Sequence, residues 1–454
     1  MYNFIESKSD VINTFSAEKK EGHIFQTVNW SEFKSDWNDS YFYGENENKE
    51  IVLSCCLLSR NIPYLNKKIG YIPRGFVCDY SNEKLIEEFI IFLKEYAKKN
   101  KIAFITMDPE IHLNINGEVV EFAEKIEEFL ISLGLKNLSK GSMNFETIQP
   151  NFTFKLDISK RDGESIEDTK KRIFKGFHSK CRYKVKIGSE RSLNVEVYDS
   201  TNITEKEFDI FQNLMNTTGE RDGFIVRKKN YFESIIEKLY PYAEMYLVKY
   251  SPSKDKKNAI KKLETLTNQK VPLEKKILTL REELYDLSLL EVTEESNKKI
   301  SKIESKITTT NNKLETIVTQ INNLTDRISM LNESTDEDVY LSGAIYLHFG
   351  DKGWYLYGAS SNEFRDAMPN YTMQWAMIQK SIELGKDVYD FWGAPGDTSE
   401  DNHLHGLYKF KKSFGGDFIE HIGEYDLVIN NTTYVLFKKA FPKFKKIRGK
   451  LKHK

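Results

Sequence analysis

Two successive heptad repeats in the middle of the chain constrain its fold more than any other feature. Apolar residues recur at alternating three- and four-residue steps, with Lys270 and Thr310 as the only polar members. The first repeat comprises Leu263, Leu266, Leu273, Ile277, Leu280, Leu284 and Leu287, and the second comprises Ile300, Ile303, Ile307, Leu314, Ile317, Ile321, Leu324, Ile328 and Leu331. A 3.5-residue period keeps such side chains on one side of a helix. Because the connector is short, we expect an antiparallel coiled-coil hairpin formed within one chain rather than a dimerisation coil.

The segments on either side of the repeats have the character of β-strands. They run from Ala243 to Tyr250 and from Val339 to Phe349. The hairpin is therefore predicted to be an inserted helical arm, residues 252–335, at the tip of a β-hairpin. Pro272 lies inside the first helix, where a missing N–H group and a steric clash predict a kink or a break.

The composition allows two domains in addition to the arm. The chain has 454 residues, 39% of them hydrophobic, and a net charge of −1. Its four cysteines show no CxxC spacing, which argues against a disulfide framework or a zinc site and favours a reducing compartment. No signal peptide or membrane-spanning run is evident. We expect a cytoplasmic protein, at most peripheral at the inner face of the plasma membrane.

The C-terminal tail, residues 431–454, is strongly basic. Between Lys438 and Lys454 there are nine lysines or arginines and no acidic residue. Four apolar residues are interleaved at helical spacing, namely Phe441, Phe444, Ile447 and Leu451. Such a tail suits an anionic membrane surface or RNA phosphates, and a solvated terminus is the alternative.

The order of predicted elements outside the arm is similar in the two halves of the chain. Each half has a strand meander, a helix and a strand that ends at a polar turn, which is the order of an N-acetyltransferase-like (GNAT) core. We predict an α+β protein with two tandem GNAT-like domains. The first covers residues 1–150, and the second is discontinuous and covers residues 151–251 and 336–430.

Several common catalytic motifs are missing from the sequence. The Gln/Arg-x-x-Gly-x-Gly/Ala loop that cradles the pyrophosphate of coenzyme A is absent, as are a P-loop, a GxGxxG motif and HExxH. No convincing nucleophile triad is present. We therefore expect no cofactor and no metal, and an acyl donor other than coenzyme A.

An ordered set of short motifs extends along nearly the whole chain outside the arm. The C-terminal motifs are Tyr355–Ser360, Met368–Tyr371, Tyr389–Gly393, His405–Lys411 and Phe414–Gly416. Those upstream are Phe25–Gln26 with Trp30 and Lys34, Tyr71–Gly75, Met107–Glu110, Gln149–Pro150, Leu156–Asp157 and Glu220–Phe224 with Arg227. Together they resemble the Fem (FemABX) family, whose members build the interpeptide bridge of peptidoglycan. The resemblance implies two GNAT-like domains and, in many members, a coiled-coil arm.

The resemblance also implies the substrates. The donor would be an aminoacyl-tRNA, and the acceptor would be the stem-peptide amine of lipid II or of UDP-MurNAc-pentapeptide. A homologous bridge-forming protein is a further candidate partner. Aminolysis of an activated ester requires mainly alignment of the substrates and stabilisation of the oxyanion, which suits a chain without an obvious nucleophile.

Three residues are predicted to be catalytic. Lys411 matches the family lysine thought to hold the oxyanion or the tRNA end, and a solvated lysine is the alternative. Asp108 and Asp390 each end a predicted strand at equivalent positions of the two halves, where either carboxylate could accept the amine's proton. A capping or turn carboxylate is the alternative for both.

Five residues are predicted to bind the acceptor. Lys34, placed in a helix that reaches Trp37, and Arg227 resemble the family pair that binds the acceptor's diphosphate. Tyr231 follows Arg227 by four residues and is expected on the same helical face. Tyr355 and Tyr357 alternate on a strand, so both are expected to face the same side. Exposed charges and core aromatics are the alternatives.

A basic helix is predicted between Ser165 and Ile187. Its cations include Lys180, Arg182 and Lys184, which we assign to tRNA phosphates, with a solvated helix face as the alternative. The competing functions are a GNAT-type acyltransferase with another donor and a non-catalytic, tRNA-binding or scaffold protein with a coiled coil. The sequence leaves open which small amino acid (glycine, alanine or serine) is transferred, and at which bridge position.

Overall fold

The structure is a computed structural model that describes residues 1–289 and 293–438. The tail residues Phe441, Phe444, Ile447 and Leu451, and the amphipathic helix predicted from them, lie outside the described residues. Residues 431–438 are helical. Within the described ranges, no helix is long and apolar enough to cross a bilayer.

The N-terminal part of the chain alternates strands and helices. The strands are β1 (Asn3–Glu6), β2 (Asn38–Glu45), β3 (Ile51–Asn61), β4 (Lys68–Ile72), β5 (Val77–Cys78), β6 (Ile102–Met107), β7 (His112–Ile115), β8 (Glu118–Val119) and β9 (Leu135–Asn137). The helices are α1 (Asp10–Glu18), α2 (Val28–Phe33), α3 (Glu83–Lys99) and α4 (Glu121–Ser132), with a 3₁₀ turn at Ile24–Gln26.

The C-terminal part contains the longer helices. Its strands are β10 (Phe152–Asp157), β11 (Leu193–Tyr198), β12 (Ala243–Tyr250), β13 (Val339–Phe349), β14 (Lys352–Ser360), β15 (Val388–Gly393), β16 (Asp417–His421) and β17 (Tyr425–Val428). Its helices are α5 (Ile166–Gly176), α6 (Ser179–Glu190), α7 (Glu205–Asp222), α8 (Lys229–Lys238), α9 (Pro252–Ser288), α10 (Glu294–Asn332), α11 (Pro369–Glu383) and α12 (His405–Lys412), with a 3₁₀ turn at Arg365–Ala367.

The strands form two sheets with a shared internal order. The first sheet runs β1-β2-β3-β4-β6-β17-β9, with β5 paired to β3, and the second runs β11-β12-β13-β14-β15-β10-β16-β7-β8. In the first, the antiparallel strands β2, β3 and β4 lead through α3 to β6, which is parallel to β4. In the second, β12, β13 and β14 lead through α11 to β15, which is parallel to β14. The chain is a mixed α/β protein with two sheets.

The two sheets exchange strands across the predicted domain boundaries. Strand β17, assigned by sequence to the second domain, pairs with β6 and β9 of the first sheet. Strand β7, assigned to the first domain, pairs with β16 of the second sheet. The predicted boundaries at 150 and 430 therefore do not separate the sheets.

The apolar core has three layers because side chains alternate along the strands. Leu53, Cys55 and Leu57 of β3 face α3 and α4. Cys56 and Leu58 of the same strand face a layer that also contains Met245 and Leu247 of β12, so this layer joins the two sheets. The intervening Tyr246 and Val248 face the third layer, which α5, α6 and α11 cover.

The helices α9 and α10 leave the body between β12 and β13, whose bounds match the predicted strands. Ala259 and Leu266, near the start of α9, form a buried cluster with Leu324, near the end of α10, so the helices run antiparallel. Helix α9 continues through Pro272, so of the predicted kink or break the break does not occur. At the root, the carboxylate of Asp255 accepts hydrogen bonds from Arg327 at 3.1 Å and from Tyr250 at 2.6 Å.

The predicted basic helix between Ser165 and Ile187 is two helices. Helix α5 ends at Gly176 and α6 begins at Ser179. Phe177, which separates them, has extended backbone angles and a buried ring. The guanidinium of Arg182 donates a hydrogen bond to the carbonyl of Lys175 at 2.9 Å and another to that of Phe177. Arg182 therefore stabilises the junction between the two helices.

Candidate functional site

A large cavity, which we call the Lys34 cavity, opens between the two sheets. Its volume is about 1130 Å³, and it is lined by residues of α2, β3, β4, α8 and β14. Four of the residues predicted to bind the acceptor line it: Lys34, Arg227, Tyr231 and Tyr357. The sequence prediction therefore placed these four side chains in one site.

The cations of the Lys34 cavity are held by aromatic rings. Lys34 caps the C-terminus of α2 rather than lying inside a longer helix. Its Nζ lies 4.7 Å from the centre of the Trp30 ring and 3.4 Å from the hydroxyl of Tyr231. Burial, reinforced by the nearby charge of Arg227, lowers the pKa of Lys34 to about 8. An anionic ligand would relieve this unfavourable burial of positive charge.

Arg227 and Tyr231 contact each other, but not through the shared helical face that the sequence predicted. Helix α8 begins at Lys229, so Arg227 precedes it and does not share a helical face with Tyr231. The guanidinium instead lies over the Tyr231 ring, 5.0 Å from its centre. The Tyr231 hydroxyl is 3.1 Å from that of Tyr357. These contacts orient two cations and two hydroxyls around one space, an arrangement suited to a diphosphate.

A second cavity, which we call the Lys184 cavity, lies on the other side of β14. Its volume is about 660 Å³, and α7, α11 and α12 contribute to its walls. Lys184 and Tyr355 line it, together with Arg221 and Arg365. The Nζ of Lys184 donates a hydrogen bond to the hydroxyl of Tyr371 at 3.0 Å. Among the predicted tRNA ligands, Lys184 is thus the one at a cavity, whereas Lys180 is exposed on α6.

A β-bulge separates the two tyrosines of β14. Ile345 of β13 pairs with Tyr357, but the next residue, Tyr346, pairs with Tyr355, so Leu356 is an extra residue. Because Ile345 and Tyr346 point to opposite faces, their partners do so as well. The prediction that both tyrosines face one side is therefore wrong: Tyr357 lines the Lys34 cavity, and Tyr355 lines the Lys184 cavity.

Lys411 is buried where residues lining the two cavities come together. Its Nζ donates hydrogen bonds to the carbonyls of Phe391 and Gly393, each at 2.6 Å. Those two residues flank Trp392, which lines the Lys34 cavity, while Phe410, next to Lys411, lines the Lys184 cavity. Burial lowers the pKa of Lys411 to about 7, and the charge of Asp390 opposes this shift. With two of three N–H groups engaged, the cationic amine keeps one donor for a ligand.

Asp108 and Asp390 belong to a buried charge cluster between the halves of the chain. The Oδ1 of Asp108 accepts a hydrogen bond from the backbone N–H of Arg74 at 3.0 Å. The Oδ2 of Asp390 lies 3.8 Å from the Nζ of Lys155. Burial raises the pKa of Asp108 to about 7 and also raises that of Asp390. Neither carboxylate lines either cavity.

The same cluster contains three side chains that could bind a metal ion. Ligand atoms of Glu110, His112 and His421 lie within 4.8 Å of one another. The ammonium of Lys155, however, contacts Glu110 and lies 2.9 Å from the Nε2 of His112. Burial, reinforced by Lys155, lowers the pKa of His112 to about 3. Because Lys155 already supplies the positive charge, this cluster does not fit a cation.

Two supporting residues were missed by sequence reasoning. Arg74, in the Tyr71–Gly75 motif, is buried, donates from Nη2 to the carbonyl of Pro150 at 2.7 Å and lies over the Trp392 ring. Gln374, inside α11, accepts a hydrogen bond from the hydroxyl of Tyr389 at 2.7 Å. Both positions were visible in the sequence as polar residues among apolar ones, but nothing there indicated their partners.

Comparison with known proteins gives consistent matches along the whole chain. Residues 8–441 match the FemAB family. A relative named lipid II:glycine glycyltransferase, from Staphylococcus epidermidis, is 32% identical over 447 residues, which cover 97% of this chain and 96% of the relative. A relative of the same name from Staphylococcus saprophyticus is 33% identical and covers 97% of both chains.

A solved structure agrees with these matches. The crystal structure of FemX superposes with a TM-score of 0.70 at 30% sequence identity. The match covers 96% of this chain and all of that one.

Proposed function

Because this chain belongs to the FemAB family, we propose that it is a transferase that forms a peptide bond on the stem peptide of lipid II. The predicted membership of this family is confirmed over nearly the whole chain. The relatives' printed name, lipid II:glycine glycyltransferase, supports lipid II as the acceptor and glycine as the transferred residue. Within the predicted range of glycine, alanine or serine, the name of these relatives favours glycine.

The observation that carries this proposal is the placement of Lys411 between two cavities. Lys34 and Arg227 of the Lys34 cavity would bind the diphosphate of the acceptor, because two closely spaced cations match its charge. Tyr231 and Tyr357 would position the adjoining groups. The acceptor amine would then approach from this side of β14.

The donor would be an aminoacyl-tRNA that occupies the Lys184 cavity. Tyr355 lies at this cavity, and Lys184, Arg221 and Arg365 supply cations for the phosphates of the tRNA end. The exposed side chain of Lys180 would add to this positive surface, and Arg182 would hold α6 in place.

The reaction joins the acceptor amine to the activated ester carbonyl. The amine attacks, the carbonyl oxygen gains negative charge, and the tRNA hydroxyl leaves as the new amide forms. The third N–H of Lys411 would stabilise that oxyanion. The predicted role of Asp108 and Asp390 as acceptors of the amine's proton remains a prediction, and their burial beside Arg74 and Lys155 favours a positioning role.

For the architecture, we propose two tandem GNAT-like domains and a coiled-coil arm. The support is the repeated order of meander, helix and parallel strand in both sheets, and the antiparallel packing of α9 on α10. The division into residues 1–150 and residues 151–251 with 336–430 describes chain segments, since the sheets exchange β7 and β17. The arm, residues 252–335, would support the tRNA or a homologous bridge-forming partner.

The two alternative functions would require different structural features at the cavities. A GNAT-type acyltransferase with another thioester donor would need a cradle for that donor, and a tRNA-binding scaffold would need no buried lysine such as Lys411. We favour the transferase on both grounds. We further propose that the protein acts at the inner face of the plasma membrane, where the basic tail would contact anionic lipid.

A product assay tests the proposed function. Purified protein is incubated with lipid II and, in separate reactions, with glycyl-, alanyl- and seryl-tRNA, and the products are measured by mass spectrometry. The expected product is lipid II extended by glycine. Failure of all three charged tRNAs, together with transfer from an acyl thioester, would favour the alternative enzyme.

A further inference from the structure

Exposed apolar side chains surround the mouth of the Lys34 cavity. Ile225 is 97% exposed, Ile148 is 57% exposed and Phe145 is 47% exposed, and all three line this cavity. Each large aliphatic or aromatic side chain left in water loses the free energy that burial would provide. We call these three side chains the apolar rim. A group of exposed apolar side chains at one opening is typical of a surface that binds another molecule.

The Lys184 cavity provides an internal contrast. Of the large apolar side chains that are exposed in the described part of the chain, none lines it. Its rim carries polar and charged residues, including Asp222 and His403. Of these two cavities, only the Lys34 cavity therefore has an apolar rim.

Positive charge accompanies the apolar rim. The described lining residues include the cations Lys34, Arg60, Arg227 and Lys438, against one carboxylate, Asp36. Residues 437 and 438 of the helical segment 431–438 line this cavity, and Leu436 on the same segment is exposed.

We infer that this rim is the surface by which the protein sits on an anionic bilayer. Apolar side chains that enter the interface and cations that pair with lipid phosphates are the two components of peripheral membrane binding. The inference rests on the proposed function for its purpose, because a diphosphate whose lipid chain lies in the membrane can reach Lys34 and Arg227 only if the mouth faces the bilayer. Contact with the bilayer can be measured without transfer, because it requires neither tRNA nor the acceptor.

Fluorescence of introduced tryptophans tests the orientation. Ile225→Trp and Ile148→Trp are compared with Val271→Trp and Leu278→Trp, two apolar positions on α9 that are each 59% exposed. Vesicles contain phosphatidylglycerol and phosphatidylcholine, with and without brominated acyl chains, and neither tRNA nor acceptor is added. We expect a blue shift and bromine quenching at the two rim positions only, beyond the signal of the unsubstituted protein.

Co-sedimentation measures the energetic contribution of the rim. We expect Ile148→Ser with Ile225→Ser to reduce partitioning onto these vesicles by about tenfold or more. Val271→Ser with Leu278→Ser, the matched control, should leave partitioning unchanged, and a thermal melt checks the fold of each variant. Replacing phosphatidylglycerol by phosphatidylcholine should also weaken binding.

Three results would overturn the inference. Equal quenching at rim and arm positions would show that the bilayer contact is not at this mouth. Quenching only after lipid II is added would assign the rim to the acceptor's lipid chain instead. A blue shift that depends on protein concentration without vesicles would assign it to a second copy. Since no transfer is measured, a failure of the proposed function leaves these results interpretable.

Discussion

The two cavities differ in chemistry although they share strand β14 as a wall. The Lys34 cavity is nearly twice as large and combines aromatic-held cations with an apolar mouth, whereas the Lys184 cavity is smaller and polar at its rim. The bulge at Leu356 allows a single strand to supply one tyrosine to each. This difference is the basis for the proposal that two unlike substrates bind on opposite faces of one strand, with the buried Lys411 near residues that line both cavities.

Loss of Lys411 should have the largest effect on the rate of transfer. This effect should not depend on which of the two cavities' substrates is varied. We expect Lys411→Met to reduce the rate of transfer by about 10²- to 10³-fold, as removal of one oxyanion donor typically does. Single-turnover transfer of a labelled residue from tRNA measures this rate. The neighbouring exposed Lys412→Met is the matched control. A near-normal rate in Lys411→Met, with an unchanged melt, would remove the oxyanion role.

Arg227→Met should affect the acceptor alone. Loss of a bidentate partner for the diphosphate should raise KM for lipid II by about 10- to 100-fold and leave KM for charged tRNA unchanged. Steady-state kinetics with each substrate varied in turn measure both constants. Lys228→Met, next in sequence and exposed, should behave as the wild type. An equal rise in both KM values would contradict the separation of the cavities.

Gly358→Ala should affect the donor side through Tyr355. A Cβ atom at Gly358 would lie 1.6 Å from the Tyr355 hydroxyl, so the ring must move. We expect about a tenfold rise in KM for charged tRNA, with little change for lipid II. Gly406→Ala, at a glycine of the same cavity with open space for a Cβ atom, is the control. A rise in KM for lipid II alone would show that Tyr355 contacts the acceptor instead.

Lys184→Ala should weaken tRNA binding modestly. Loss of one phosphate contact should raise KM for charged tRNA by about three- to tenfold and reduce the salt dependence of binding by about one ion. Titrations at several salt concentrations measure the slope. Lys186→Ala, exposed on the same helix, should change neither value. An unchanged slope in Lys184→Ala would exclude a contact with phosphate.

The smallest expected effect is the pH dependence of the affinity for lipid II. Because the pKa of Lys34 is lowered to about 8, its cationic form predominates below this pH and is lost as the pH rises through it. Affinity for lipid II should therefore fall a few-fold between pH 7 and pH 9, and Lys34→Met should abolish this dependence. Binding titrations at fixed ionic strength measure it. A persistent pH dependence in Lys34→Met would assign the titration to another group.

The predictable parts of the structure are those set by local sequence. The heptads predicted the antiparallel pairing of α9 and α10, and β12 and β13 have the predicted bounds. The residues grouped in the Lys34 cavity were recognised through motifs rather than through geometry. The bulge at Leu356 could not be predicted, because alternation of Tyr355 and Tyr357 is also the pattern of a regular strand.

Long-range pairing accounts for the other differences. The charge cluster depends on contacts such as that between Lys155 and Glu110, whose partners are set by the packing of the two halves. The same is true of the break near Phe177, because a helical pattern on either side of it does not reveal where the helix must turn. Asp108 directly follows β6 as predicted, whereas Asp390 lies in the middle of β15 rather than at its end, and both carboxylates are buried.

The exchange of β17 has a consequence for synthesis of the protein. This strand fills the gap between β6 and β9, yet it is synthesised after all the other strands of the two sheets. Until then, the N-terminal half carries two open strand edges, which invite pairing with other nascent chains. A premature stop before residue 425 would therefore leave even the first half incomplete and prone to aggregation.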